Sequence, residues 1–358
     1  MKRILLITES LGSGGAERQI CGLAKMLTMK GYPCRLITYV NDQFYEPYLI
    51  DNKVDYEYNP RLRNKSKRVF FLVRYLWKYK PDVIISFLPS VNISCCLAKV
   101  FYPCRLIVSE RNNNIGLSKR DLLQFNLYRL ADFIVPNSYS QGEFIKSNIP
   151  FLKPKVLPII NFVDFDNFKL AKKKSKERKP RVITVARYTS QKNCLLFLEV
   201  VKQVKENGIV VHFDWFGSKH HDAEYYAKVE KKVAELQIED YITLHSASKQ
   251  ILLEYQKSDI FCLPSIYEGY PNVVVEAMCC GLPVLCSRIF DNPYIIEENV
   301  NGYLFDPNSV PDIVSAISKV LSLSYNERIE MGLRNRNKCI DTNSEQRFVD
   351  AYINLIEQ

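Results

Sequence analysis

The sequence predicts an α/β protein built as two doubly wound, Rossmann-like domains facing each other across a cleft. Three observations lead there: short apolar runs alternate with helical patterns along the chain, the alternation breaks at Asn167–Pro180, and it restarts at Arg181. Near-continuous apolar strands separated by helices are what a parallel sheet covered on both faces requires. A length of 358 residues suits two domains, and 47% hydrophobic with 25% charged residues is enough for sizeable cores.

The first strand is "RILLIT" (3–8). Thr8, Glu9 and Ser10 end that apolar run too early for a secretory segment. Further strands are expected at 34–40, 82–88, 105–110, 132–138 and 155–160, with amphipathic segments between them. The longest apolar stretch, Val83 to Phe101, is interrupted by Pro89, Asn92 and Lys99, so it predicts strand, turn and helix rather than a membrane span. "NFKLAKKKSKERKP" (167–180) is basic, poor in large apolar residues and closed by a proline, as in an inter-domain connector. The expected division is therefore a first domain over 1–165, a linker over 166–180, and a second domain over 181–342. A helix at 343–358 is expected to pack back towards the first domain. Second-domain strands are expected at 181–187, 211–217, 241–246, 258–265 and 282–287.

Charge and cysteine usage narrow the function class. The 49 Lys+Arg against 39 Asp+Glu give a net charge of +10, which favours an acidic partner: nucleic acid, an anionic membrane or a phosphorylated small molecule. The 11 cysteines form no Cys-x-x-Cys pair and have no histidine at ligand spacing. Most lie inside apolar runs, where a free thiol behaves as a small hydrophobe, and a reducing cytoplasm fits such usage.

Informative residues cluster just after strands, where ligands bind in open α/β sheets. In "TESLGSGGAERQI", Gly12, Gly14 and Gly15 precede a helix; glycines let backbone amides approach a ligand, and a helix start favours an anion. Glu17 stands where a dinucleotide fingerprint needs its third glycine, so that motif fails, and a tight strand-to-helix turn is the alternative. In "VARYTSQKN", Arg187 and Lys192 pair a planar fork with a point charge and suit a diphosphate, although either also suits a solvated surface. In "SIYEGYPNVVVEAMCCGLPVLCS" (265–287), Pro271 opens and Gly281 closes a short helix, which leaves Glu268 in the entering loop and Glu276 within the helix. A glycosidase pair flanks one bond, whereas these two acids suit separate hydroxyl-bearing parts of one ligand, a sugar held beside a nucleotide.

"EGYPNVVVEAMCCGLPV" resembles the E-x7-E signature of the retaining glycosyltransferases of family 4, which have the GT-B fold. The resemblance runs over nearly the whole chain through "GGAER", "VARYTSQKN", "FGS" (216–218), "YQKSDIFCLPSIYEGYPNVVVEAM" and "NGYLF" (301–305), and is nearest to enzymes of bacterial surface polysaccharide synthesis. It implies that Glu268 contacts the transferred sugar, Glu276 the nucleotide ribose, and Arg187 and Lys192 the donor diphosphate. It further implies that Gly14 and Gly15 close over the donor, that backbone at Ser246, Ala247 and Ser248 meets the base, and that Gly269, Tyr270, Pro271 and Asn272 line the sugar and phosphate pocket. Members often carry a histidine after the fifth strand of the first domain. Here "VSERNNN" places Arg111 there, which cannot act as a neutral acid/base; it is expected either to contact a donor or acceptor phosphate or to form a structural ion pair with Glu110 or a neighbour.

The expected reaction moves a hexosyl group from a nucleoside diphosphate sugar, uridine favoured over guanosine, to a lipid-linked or saccharide acceptor. No metal and no cofactor are expected: "DFD" at 164–166 lies at the inter-domain crossover, and His220 and His221 have only Asp222 beside them. The basic, aromatic segment Arg61–Lys80 suits an anionic membrane surface, although an ordinary domain helix fits as well. The expected location is the cytoplasm, at the inner face of the cell membrane, with no nucleic acid partner. The alternatives are a nucleotide-sugar epimerase of the same fold, a non-enzymatic nucleic-acid binder, and a glycan-binding protein without activity. Acceptor-dependent transfer separates the expected reaction from all three.

Overall fold

The computed structural model of the protein describes residues 1–170 and 178–358; residues 171–177, within the expected linker, lie outside the described residues. The chain divides into two compact units, Met1–Phe162 with Glu345–Gln358, and Val163–Ser344. In the first unit β1 (Ile4–Ile7), β2 (Cys34–Thr38), β3 (Asp55–Tyr58), β4 (Val83–Phe87), β5 (Arg105–Glu110) and β6 (Phe133–Pro136) form a parallel sheet in the order β3-β2-β1-β4-β5-β6. In the second, β7 (Arg181–Val185), β8 (His212–Gly217), β9 (Ile242–Ser246), β10 (Ile260–Leu263), β11 (Val284–Ser287) and β12 (Gly302–Phe305) are ordered β12-β11-β10-β7-β8-β9, again parallel. Both are doubly wound α/β units.

Strand alternation feeds two cores in the first unit. Ile4, Leu6, Val83 and Ile85 join Leu23 and Leu27 of the Gly15–Met29 helix on one face, while Leu5, Ile7 and Ile84 join Leu72 and Leu76 of the Arg68–Tyr79 helix on the other. Successive side chains on a strand point to opposite faces, so a continuous apolar run fills both sides. The C-terminal helix Glu345–Glu357 closes the first of these cores with Phe348, Tyr352, Leu355 and Ile356. Its Phe348 ring lies 5.0 Å from that of Phe162, and Arg105 donates to the Ile356 carbonyl at 2.6 Å.

One expected strand is absent, and one observed strand has no sequence signal. "KVLPII" is no sheet strand: it runs beside β6, with Leu157 and Ile159 N–H donating to the Ile134 and Pro136 carbonyls at 2.9 and 3.0 Å, but it forms one isolated bridge, Val156 to Ile134. The edge strand β3, "DYEY", carries no aliphatic residue and is half-exposed, so no apolar run announces it. The other edge, β12, lies within "NGYLF".

Glu110 and Arg111 do not pair with each other. The buried Glu110 carboxylate accepts from Tyr128 Oη, from Asn92 Nδ2 at 3.2 Å and from Gln124 Nε2 at 3.2 Å. Arg111 instead donates to Asn161 Oδ1 at 2.7 Å and Tyr352 Oη at 3.1 Å, with its guanidinium 3.8 Å from the Phe87 ring centroid. It thereby ties the end of β5 to the C-terminal helix. Burial pushes the Glu110 carboxyl up from 4.5 to about 7, outweighing its hydrogen bonds from Tyr128, Asn92 and Gln124. Between those pH values the folded chain binds the proton more tightly than the unfolded chain, so the stability gained is complete below about pH 4.5 and lost as pH rises through 7. Glu110→Gln, which keeps the shape, is therefore expected to gain roughly 3 kcal/mol relative to the parent between pH 4.5 and 7.5 in denaturant unfolding, with no further change above. A difference independent of pH contradicts the assignment.

Candidate active site

In the second unit the strand order reverses between β7 and its neighbour β10, so the loops at their carboxyl ends leave in opposite directions and open a crevice. Arg187 and Lys192 lie on the first loop. Glu268 lies on the second.

The first loop, 186–193, is pinned from below. Trp215 Nε1 donates to the Ala186 carbonyl at 2.9 Å, and the buried Tyr188 hydroxyl sits 2.8 Å from the carbonyls of both Trp215 and His245. Gly217 is required for this approach: a Cβ there would lie 2.1 Å from the Ala186 oxygen. Asn193 ends the loop at φ 61°, its amide donating to the Pro307 carbonyl at 2.6 Å, and the Cys194–Glu206 helix comes next. Asparagine tolerates that left-handed conformation where most residues do not.

The two loops are then joined by three contacts. Ile266 N donates to Gln191 O at 2.8 Å, Gln191 Nε2 donates to Tyr267 O at 3.0 Å, and Lys192 Nζ meets Glu268 Oε1 at 2.5 Å. The Lys192 and Glu268 side chains are only 12% and 10% exposed, so the two charges meet largely out of water. Arg187 is exposed, with Nη1 3.2 Å from His221 Nε2.

Pro271 leads into the helix Asn272–Cys279, and Gly281 just beyond its end has φ 74°. The first amides of this helix have no partner within it and carry partial positive charge. Glu276, one turn along and 6% exposed, accepts from Tyr255 Oη at 3.3 Å. The two glutamates are thus held by different neighbours. Space is open at Gly269, where an added Cβ would meet nothing within 4 Å. Tyr270 differs from the pocket-lining expectation: its side chain is buried, and its hydroxyl accepts from Asn343 Nδ2 at 2.7 Å. Ser246 ends β9, and Ala247 and Ser248 continue into the next loop.

Gly14, Gly15 and Arg111 belong to the first unit. Gly14 caps the Gly15–Met29 helix with ordinary extended backbone (φ −77°, ψ 163°), and a Cβ there would lie 2.1 Å from Glu17 Oε2. Arg111 is 9% exposed and engaged as described above. Among the described residues no group of three His, Cys, Asp or Glu side chains converges as metal ligands do. Tyr188, Gln191 and Asn193 also shape the site, and sequence reasoning does not single them out; their place in "VARYTSQKN" is the one signal that marks them.

A crevice at a switch point, furnished with two cations, a helix start and two separately held carboxylates, has the chemistry to hold a phosphorylated, hydroxyl-rich ligand. The family described as "Glycosyl transferases group 1" matches residues 166–338. A Campylobacter jejuni relative named as a GalNAc-alpha-(1->4)-GalNAc-alpha-(1->3)-diNAcBac-PP-undecaprenol alpha-1,4-N-acetyl-D-galactosaminyltransferase is 25% identical, over 100% of this chain and 97% of that one. The amylovoran biosynthesis glycosyltransferase AmsD of Erwinia amylovora is 27% identical over 86% of each chain. The solved structure of Anabaena Alr3699/HepE in complex with UDP superposes with a TM-score of 0.86 at 16% identity, covering 99% of both chains. Residues 166–338 thus match this glycosyltransferase group, and the chain has the two-domain GT-B fold.

Proposed function

We propose that the protein is a retaining, metal-independent hexosyltransferase that moves a sugar from a UDP-sugar to a lipid-linked or saccharide acceptor during bacterial surface glycan assembly. The observation that carries this is the Lys192–Glu268 pair at the β7/β10 switch point, beside the start of the Asn272–Cys279 helix. The names of the Campylobacter and Erwinia relatives support the acceptor class, and the UDP complex of the Anabaena protein supports the donor.

In this reading the donor diphosphate takes the place of Glu268 at Lys192, and the released carboxylate meets the hydroxyls of the sugar. Arg187 adds a planar fork, and the helix amides at Asn272 and Val273 face the same charge. Charge grows on the diphosphate as the glycosidic bond breaks, and fixed cations and dipoles need no reorganisation to receive it. Glu276 receives the ribose hydroxyls, backbone at 246–248 meets the base, and backbone at 269–272 borders the sugar. Gly14 and Gly15 are assigned to the donor from the first unit, and Arg111 to positioning the C-terminal helix. No side chain is assigned as a covalent nucleophile. The departing diphosphate accepts the proton of the acceptor hydroxyl, which attacks on the face that the leaving group vacates.

A second part of the reading places the first unit at an anionic membrane surface. No described helix is long and apolar enough to cross a membrane. The Arg68–Tyr79 helix nevertheless leaves Phe70 64% and Trp77 56% exposed, and Val100 and Phe101 are 62% and 61% exposed beside Tyr102, which the Trp77 ring contacts edge-on. Exposed aromatics among lysines and arginines suit the headgroup region.

Glu268→Ala is expected to lower transfer by about 100-fold or more while binding UDP at least as tightly as the parent, because the carboxylate that competes for Lys192 is gone. Parallel loss of both in product analysis and calorimetry contradicts its role. Phe70→Ser/Trp77→Ser is expected to abolish co-sedimentation with phosphatidylglycerol vesicles at low salt, while the parent sediments; equal sedimentation of both contradicts the membrane contact.

A further inference from the structure

The backbone assigned to the nucleotide base begins at Ser246, where β9 ends, and β9 is the outermost strand of its sheet. An outermost strand has a neighbour on one side only, so the placing of its last residues falls to side chains. We infer that His245 is a positioning residue that fixes the 246–248 backbone for the base and ties it to the loop carrying Arg187 and Lys192. The inference rests on the donor reading above.

His245 is held at three points. Its Nε2 lies 2.8 Å from Asp214 Oδ1, its ring stacks on that of Phe216 with centroids 4.2 Å apart and planes 7° from parallel, and its carbonyl lies 2.8 Å from the Tyr188 hydroxyl. A carboxylate accepts, so the ring nitrogen facing it is the one that carries a proton. Tyr188 belongs to the 186–193 loop. The last strand residue before the base is therefore bonded directly to the loop assigned to the diphosphate.

Asp214 is the anchor of this arrangement. It lies on β8 and is 4% exposed, and Arg181 of β7 reaches its other oxygen through Nε and Nη2, both at 2.8 Å. One buried carboxylate thus joins three neighbouring strands, β7, β8 and β9. At that depth it depends on its partners. His212 does not replace His245: its Nε2 is 4.0 Å from Asp214 Oδ1 and 2.9 Å from Thr243 Oγ1. Strand alternation gathers the set on one face, because His212, Asp214 and Phe216 are two apart on β8, and the register pairs Asp214 with Thr243 and Phe216 with His245. The intervening Phe213 and Trp215 turn to the other face and pack on Phe197.

The diphosphate is assigned to Arg187, Lys192 and helix amides on other segments, so a misplaced 246–248 backbone weakens the whole nucleotide and not the diphosphate alone. The test is calorimetric titration of the full chain with UDP and, separately, with inorganic pyrophosphate. His245→Phe keeps a ring over Phe216 and removes the donor to Asp214; it is expected to bind UDP about tenfold more weakly and pyrophosphate within about twofold of the parent. His245→Gln, which returns an amide donor, is expected to regain most of the UDP affinity. His245→Asn, polar but too short to reach Asp214, is expected to show the same split as His245→Phe and stands in for it should that variant not fold. UDP affinity unchanged in His245→Phe and His245→Asn, equal loss of UDP and pyrophosphate, or no recovery in His245→Gln overturns the inference. His212→Gln, on the same face but bonded to Thr243, is expected to bind UDP as the parent does; a loss equal to that of His245→Phe overturns the inference in favour of a general weakening of the sheet edge. Failure of the donor reading shows separately, as a parent that binds no UDP, and the inference falls with it.

Discussion

The contact on which the site depends is the ion pair between Lys192 and Glu268. Each side chain is almost withdrawn from water, and an unpaired charge at that depth would cost several kcal/mol. Together they are tolerated, and they hold the loop after β7 against the loop after β10. In the proposed reading an anion arriving at Lys192 competes with a carboxylate that then becomes free to meet hydroxyl groups, so one interaction would serve stability without ligand and recognition with it.

The rest of the second unit makes that contact possible. Parallel strands whose order reverses at β7 and β10 bring two loops to one place, and Tyr188, Gly217 and Asn193 fix the first of them to the ends of β8 and β9 and to the Cys194–Glu206 helix. The second loop is fixed by the short buried helix into which it runs, since the Tyr270–Asn343 bond and the Gly281–Gly332 backbone approach anchor that segment against the Tyr325–Asn343 helix. Rigid support of this kind keeps donors aimed before a ligand arrives.

Much of the fold is legible in the sequence because both sheets are parallel and covered on both faces. Apolar runs such as "RILLIT" and "DVIISFL" announce their strands by composition alone, and the basic break near Asn167 marks a change of unit. The hidden elements lack that signal: β3 alternates acid with tyrosine because its edge is half in water, and "KVLPII" has a strand's composition yet meets β6 through one isolated bridge. Motif residues of the site are legible one by one, yet the direct Lys192–Glu268 contact is not, since 76 positions separate them and only the strand order brings them together. Tyr270 departs from its expected place for a related reason: a tip residue in the sequence has its ring in the core and its hydroxyl on Asn343. Arg111, expected at a phosphate or beside Glu110, is instead stacked on Phe87, because its partners Asn161 and Tyr352 come from distant parts of the chain.

Arginine, lysine and oriented peptide groups take, in this account, the part that a divalent cation plays in other phosphate-transfer sites. Sugar transfer from UDP-sugar to acceptor, measured before and after exhaustive EDTA treatment, is the most direct test. Undiminished turnover, unchanged on adding back magnesium or manganese, is the expected result; loss of turnover that either metal restores would contradict it.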